Sequence, residues 1–329
     1  MFTMSERPRP SRREFVAFGL GALAAALPLA ERRRGRTVRR TMPVMGTIAT
    51  FVVVHRDELE AHAAIDAAMD ELRRIERTMT RFTTTSDIGK ANLAAAGGPV
   101  AIGRETAYVV GEALRWADVT DGAYDPAVGA AVALWDVTHR HEPPPAELVA
   151  RLADRKFYHT VEVDTHRGSP VVLFRDADAK LDLGSIAKGY GVDRAIVALR
   201  EHGVTNAIVE AGGDLYALGT APGGDPWRVG IQDPNDDRDL IGTIDVADAA
   251  VATSGTYRQF FRYRGRRYHH LLDPMVGAPR ATPLQSLTIM ADRCMHADVA
   301  ATALFGMPAD RAAQILARCV SGASIVRRV

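Results

Sequence analysis

From Tyr158 to Leu272 the sequence falls into short runs rich in β-branched and aromatic residues, separated by glycine and polar turn residues. The runs 158–163, 170–175, 205–211, 214–219, 227–232, 240–246, 258–264 and 267–272 read as strands, the last two forming a hairpin around Arg264-Gly265. One helix-length stretch, about 186–202, interrupts them and ends at His202-Gly203. Neither regular βαβ alternation nor a repeat of 20–50 residues is visible, which argues against doubly wound folds, TIM barrels and solenoids. Before this region, Val44 to Val54 reads as a strand containing Met45-Gly46-Thr47. Residues 57–79 place Ile65, Met69, Leu72, Ile75 and Met79 at helical spacing. Ser86 can cap a short helix from Asp87, and another helix spans about 105–119. Pro143-Pro144-Pro145 reads as a surface loop, with the strands beyond it belonging to the same sheet system. Helices near 295–306 and 308–318 and a final strand close the chain. The expected class is α+β: a single compact domain over 41–329, with largely antiparallel mixed sheets and flanking helices.

Composition narrows the function. Residues 1–40 carry ten Arg and three Glu, a charge of +7, whereas the remainder has 31 basic and 37 acidic residues, −6. The globular part is mildly acidic, so no basic face predicts nucleic-acid binding. Two cysteines, Cys294 and Cys319, make neither a disulfide framework nor a zinc site. The uncharged stretch Phe15 to Ala30, sixteen residues long, is short for a membrane span and matches a signal-peptide core. Ser11-Arg12-Arg13 with Phe15 resembles the twin-arginine export signal. Residues 1–30 are therefore read as that signal and 31–40 as a basic linker. The expected location is periplasmic, or inner-membrane-associated if the segment stays as an N-terminal anchor.

Four segments join small residues to ionisable ones. In Leu181-Asp182-Leu183-Gly184-Ser185-Ile186-Ala187-Lys188-Gly189-Tyr190, a turn leads into a helix whose free N–H groups suit a phosphate. Lys188 lies in the first helical turn, where the dipole disfavours a cation unless an anion answers it. Glu210-Ala211-Gly212-Gly213-Asp214 permits close backbone approach, with a plain hairpin turn as the alternative. Ala252-Thr253-Ser254-Gly255-Thr256-Tyr257 precedes His269-His270-Leu271-Leu272-Asp273-Pro274, where His270 and Asp273 form a candidate acid–base pair. Asp298 and Thr302 in His296-Ala297-Asp298-Val299-Ala300-Ala301-Thr302 share one helix face, and hard oxygen ligands suit Mg²⁺ better than zinc.

Taken in order, the Met45-Gly46-Thr47, Asp182–Tyr190, Gly212–Asp214, Ala252–Tyr257, His269–Pro274 and His296–Thr302 segments closely resemble the ApbE family of FAD:protein FMN transferases. The resemblance spans roughly 41–318. It implies Mg²⁺-dependent cleavage of FAD, release of AMP, and attachment of FMN through its phosphate to a Thr or Ser hydroxyl of a target flavoprotein. By the same resemblance Met45, Phe82, Ala123, Tyr124, Asp125, Asp182, Lys188 and Leu272 line the FAD site. Ser185, Asp298 and Thr302 are the implied metal ligands. Family members often carry Tyr at the position of Phe82, and some carry Asp or Ser at that of Ala301. The chemistry agrees with those residue types: Mg²⁺ and Lys188 neutralise the phosphoanhydride while His270, oriented by Asp273, takes the acceptor proton. Two other readings use the same residues: an FAD pyrophosphatase with water as acceptor, and a non-catalytic flavin-binding accessory protein. The implied partner is an exported flavoprotein of a respiratory or redox complex. Arg12→Lys combined with Arg13→Lys should leave precursor in the cytoplasm, measured by fractionation; normal export of that double variant points to a Sec signal instead.

Overall fold

Met45 and Gly46 both adopt positive φ, 53° and 70°. That two-residue turn folds Arg36–Val44 back onto Thr47–His55 in unbroken antiparallel register. The structure is a computed structural model that describes residues 35–166 and 168–329, and before them only the backbone of Phe15–Val16 and Leu23–Ala26. Apart from those two short strands, the export signal expected over 1–30 lies outside the described residues. The basic linker assigned to 31–40 ends earlier than expected. From Arg36 the chain is strand, because Val38, Met42 and Val44 alternate into the core while Thr37, Arg39, Thr41 and Pro43 face out.

That hairpin is one edge of a seven-stranded sheet in the order Ser324–Arg328, Ser286–Ala291, Ala249–Gly255, Asp214–Leu218, Ala207–Ala211, Thr47–His55, Arg36–Val44. Every pairing in it is antiparallel. Both faces are covered. Ala49, Phe51 and Val53 enter the main core, whereas Val52 and Val54 meet Ile208, Trp227 and Val229 on the opposite face. The strands Ala207–Ala211 and Asp214–Leu218 are buried throughout, so their sequences read as continuous rather than alternating apolar runs. Trp227–Gln232 and Leu240–Val246 form part of a second sheet over that far face. Strands Ala249–Gly255 and Ser286–Ala291 were not expected as strands; their small and hydroxylated residues do not announce them. Val171–Phe174 pairs with Val161–Asp164 on one side and Val100–Ala101 on the other, in a separate three-stranded sheet and not in the central one. Pro145 precedes a short helix, Ala146–Leu152, that follows another at Gly129–Trp135.

Three helices cover the near face. Glu58–Met79 starts from Asp57, whose carboxylate accepts the Leu59 and Glu60 N–H groups at 2.8 and 3.3 Å, a cap worth about 1 kcal/mol. It buries Ala61, Ala64, Ile65, Ala68, Met69, Leu72, Ile75 and Met79 along one stripe. Ala187–Glu201 lies against it through Gly191, where an added Cβ would meet Leu72 at 2.9 Å. The same helix crosses Cys294–Ala303 at Gly189, where an added Cβ would sit 2.4 Å from the Cys294 carbonyl oxygen and 2.8 Å from the Asp298 Cβ. Gly189→Ala should therefore destabilise the protein by roughly 1–3 kcal/mol through overpacking. Gly111→Ala, in an exposed helix position with open space around it, should stabilise by about 0.5–1 kcal/mol. Urea denaturation of the two variants beside the parent protein checks the opposite signs.

Candidate active site

The close crossing at Gly189 brings three charged side chains together. Lys188 is the second residue of its helix, Asp214 opens a strand after the Gly212-Gly213 turn, and Asp298 lies in the helix Cys294–Ala303. Lys188 Nζ is 2.7 Å from Asp214 Oδ2 and 3.3 Å from Asp298 Oδ2, and also lies 3.3 Å from the Gly184 carbonyl oxygen. The Gly189 N–H donates to Asp298 Oδ2 at 3.0 Å. Asp214 and Asp298 are each only 3% exposed. Burial, reinforced by the Asp298 charge, pushes the Asp214 pKa well above the carboxylate range against the pull of Lys188. Burial works to lower the Lys188 pKa, but the two carboxylates overcome it and hold the ammonium charged.

Hydroxyl groups surround this centre. The Thr302 and Ser254 hydroxyls share a hydrogen bond at 2.9 Å, and the Ser185 hydroxyl pairs with the Tyr124 hydroxyl at 2.8 Å. Thr302 follows Asp298 by one helical turn, as the sequence spacing implied. The Asp298 carboxylate and the Thr302 and Ser185 hydroxyls are hard oxygen donors, whose chemistry fits Mg²⁺ and not a thiophilic ion. Ala301 is fully buried in that helix and adds no donor.

The other expected residues divide into two groups. Asp182 holds Arg81 Nε at 2.7 Å and accepts the Gly184 N–H at 2.9 Å, and the Arg81 guanidinium lies over the Phe82 ring, 4.3 Å from its centroid. Phe82 itself is 79% exposed, an unshielded ring of the kind a flat aromatic ligand can stack on. Met45 is fixed at its turn by an N–H donated to Glu76 Oε1 at 2.7 Å, and Leu272 packs against the core. Ala123 offers its carbonyl to the Arg280 guanidinium. Asp125 is spent internally: its two oxygens accept the Ala127 and Tyr158 N–H groups at 2.8 and 3.1 Å, and burial lifts its pKa to about 6. It shapes the loop that carries Ala123 and Tyr124.

The expected His270–Asp273 pair does not form. Asp273 Oδ1 accepts the Met275 N–H at 3.0 Å, closing its own turn, and Oδ2 is 3.9 Å from Arg280 Nε. His270 Nδ1 lies 3.3 Å from the Gln259 carbonyl oxygen, which orients the ring in place of the carboxylate. Burial lowers the His270 pKa to about 4, so the ring is neutral near pH 7.

Three supporting acids escaped the sequence reading. Asp214 stood in the glycine-rich segment but was given no role. Asp193 accepts the Cys294 and Met295 N–H groups at 2.7 and 3.0 Å, capping the Asp298 helix from a neighbouring one. Glu210, fully buried, accepts the Gly213 N–H at 2.8 Å and so holds the turn that delivers Asp214. The Glu-Ala-Gly-Gly-Asp pattern was the available signal for Glu210 and Asp214; a cap supplied by another helix leaves none.

This arrangement defines a class. The ApbE family profile matches residues 45–325, and the chain belongs to that family. It is 32% identical over 301 residues to an FAD:protein FMN transferase of Treponema pallidum, covering 87% of this chain and 83% of that protein. A Vibrio cholerae protein of the same name is 32% identical over 296 residues, covering 89% and 88%. Among solved structures, the ApbE protein of Thermotoga maritima superposes with a TM-score of 0.79 at 31% identity, over 88% of this chain and 94% of that one. The flavin transferase ApbE of Vibrio cholerae gives 0.73 at 29% identity, over 85% and 90%.

Glu210 yields a pH prediction. Burial raises its pKa from the ordinary 4.5 to about 7. The folded state therefore holds a proton that the unfolded chain releases between those values. The resulting stabilisation is full below about pH 4.5 and lost as pH rises through about 7, a change of roughly 3 kcal/mol. Glu210→Gln keeps a carbonyl acceptor for Gly213 and cannot titrate. Its stability should fall less than the parent's between pH 5 and pH 8 by roughly that amount, read from urea midpoints at the two pH values.

Proposed function

We propose that the protein transfers FMN from FAD to a Ser or Thr hydroxyl of an exported flavoprotein and releases AMP, with Mg²⁺ as cofactor. The observation that carries this reading is the buried Lys188–Asp214–Asp298 trio beside the Thr302 and Ser185 hydroxyls. Support for the reaction class comes from relatives that carry the name FAD:protein FMN transferase over nearly their full length. Support for export comes from the Arg12-Arg13 pair ahead of an uncharged stretch.

Asp298, Thr302 and Ser185 would hold the metal, which supplies charge neutralisation to the pyrophosphate when bound. The Lys188 ammonium, kept charged by its two carboxylates, is positioned to offset charge that develops on the phosphoryl oxygens. Phe82 and Met45 offer surfaces for the flavin nucleotide, and Asp182 fixes Arg81 beneath the Phe82 ring. The acceptor oxygen forms a bond to the flavin-side phosphorus as the bond from that phosphorus to the bridging oxygen breaks, so AMP leaves. The acceptor proton passes to neutral His270, whose basicity rises as a phosphate's negative charge comes near. A structure of the Vibrio cholerae enzyme in which one histidine is replaced by glycine exists beside the unsubstituted one.

The direct test mixes protein, FAD, Mg²⁺ and a hydroxyl-bearing acceptor and weighs the acceptor for one added FMN. FMN and AMP released with no acceptor modified would make the protein a pyrophosphatase. Two variants separate the roles. Asp298→Asn should weaken metal binding and regain activity at high Mg²⁺. His270→Ala should keep FAD binding, slow transfer by about 10²–10⁴, and recover partly at high pH, where hydroxide replaces the base. Transfer at the parent rate by His270→Ala would place the base elsewhere.

A further inference from the structure

Lys188 is surrounded by oxygens, and its contacts with them are unequal. Its ammonium is 2.7 Å from Asp214 Oδ2, the length of a charge-assisted hydrogen bond. It lies 3.4 and 3.3 Å from the two Asp298 oxygens and 3.3 Å from the Gly184 carbonyl oxygen. Asp214 therefore holds the ammonium, while Asp298 and Gly184 only flank it. The flanking groups matter, because Asp298 and Ser185, the residue after Gly184, belong to the donor set assigned to the metal. In this arrangement Lys188 rests on oxygens of the metal's own site.

The two acids differ in what else holds them. Asp298 Oδ2 accepts the Gly189 N–H at 3.0 Å, and Asp193 caps the helix that carries it. That carboxylate stays in place whether or not Lys188 touches it. The Asp214 side chain accepts no backbone N–H among the described residues; its turn is fixed by Glu210, and Lys188 is the cation that answers it. Both carboxylates are almost fully enclosed, whereas the Lys188 side chain is 22% exposed and ends on a flexible stem. Of the three groups, the ammonium is the one free to shift.

We propose that the Lys188 ammonium and the divalent cation compete for Asp298, and that Asp214 is the positioning residue that keeps Lys188 at the site once the cation takes Asp298. The inference rests on the reading above that puts the metal on Asp298. An ammonium and a divalent cation on one carboxylate repel each other, and a buried setting screens that repulsion poorly. Lys188 therefore has to give up Asp298 when the metal binds. Without a second acid the ammonium would be driven toward solvent and lost to the reaction. Asp214 retains it through one N–H and leaves its other donors for phosphoryl oxygens. Before the cation arrives, the same ammonium offsets the cost of enclosing two carboxylates side by side.

The test reads metal binding with neither FAD nor acceptor present. Mn²⁺, a paramagnetic stand-in for Mg²⁺, is titrated into the full chain and followed by the spin resonance of the free ion. Lys188→Met removes the competitor and should bind Mn²⁺ more tightly than the parent; binding no tighter overturns the proposal. Asp214→Asn takes away the second partner of Lys188 and should bind Mn²⁺ more weakly. The double variant decides. The loss caused by Asp214→Asn should be smaller in the Lys188→Met background by roughly threefold to a hundredfold, the range that coupled neighbours show. An equal loss in both backgrounds makes Asp214 an independent charge, and a larger loss makes it a metal ligand; either overturns the proposal. Where Lys188→Met fails to fold, Lys188→Arg answers instead. A guanidinium can engage both carboxylates and is harder to displace, so Mn²⁺ binding should weaken, and unchanged affinity overturns the proposal. Asp298→Asn separates the two readings. Mn²⁺ binding that survives it undiminished sinks the metal assignment itself, whereas binding lost in that variant beside an additive cycle sinks only the competition.

Discussion

One ammonium shared by two buried carboxylates organises the centre of this molecule. Burying an isolated carboxylate costs several kcal/mol, and burying two side by side costs more, so Asp214 and Asp298 rely on the Lys188 ammonium between them to offset that cost. The three residues come from a strand start, a helix start and the interior of a second helix, and their meeting requires those elements to approach closely. Gly189 allows it by having no side chain, and its freed N–H is then donated to Asp298. Asp193 closes the arrangement by capping the helix that carries Asp298. The charge cluster, the close crossing and the borrowed cap are thus one construction.

Arg280 plays a comparable part at the other side of the site. Its guanidinium reaches the Phe305 and Ala123 carbonyls, tying the end of the Asp298 helix to the loop bearing Tyr124. Its own carbonyl receives His269, and Asp273 lies 3.9 Å from its Nε. The loop bearing Tyr124, the helix bearing Asp298 and the segment bearing His269 are therefore braced through a single side chain that is almost fully enclosed.

Much of this was readable in the chain and some was not, for physical reasons. The helix over 58–79 announced itself because one face is solvated and the apolar spacing survives intact. Lys188, Asp298 and Thr302 were singled out because they sit in short segments whose residue types make chemical sense locally, and Lys188 and Asp298 do meet in the structure. The central strands were harder. A sheet covered on both faces erases the alternation that marks a half-buried strand, and Ala249–Gly255, small and hydroxylated, looked like a turn. Asp193 and Glu210 act across elements, and the His270–Asp273 pairing failed because Asp273 found a closer partner in its own turn. Those outcomes are decided by tertiary neighbours that sequence spacing does not contain.

The outermost strand of the central sheet, Arg36–Val44, has a final consequence. Its free side would otherwise template pairing with a second chain, the first step of cross-β aggregation. Pro43 withholds one donor from that side's ladder, and Arg36 and Arg40 are held by Glu58 and Asp66 of the helix beside it at 3.0 and 2.6 Å. The stretch whose composition looked like a mere spacer thus closes an edge of the central sheet, with one backbone donor missing from its outer side.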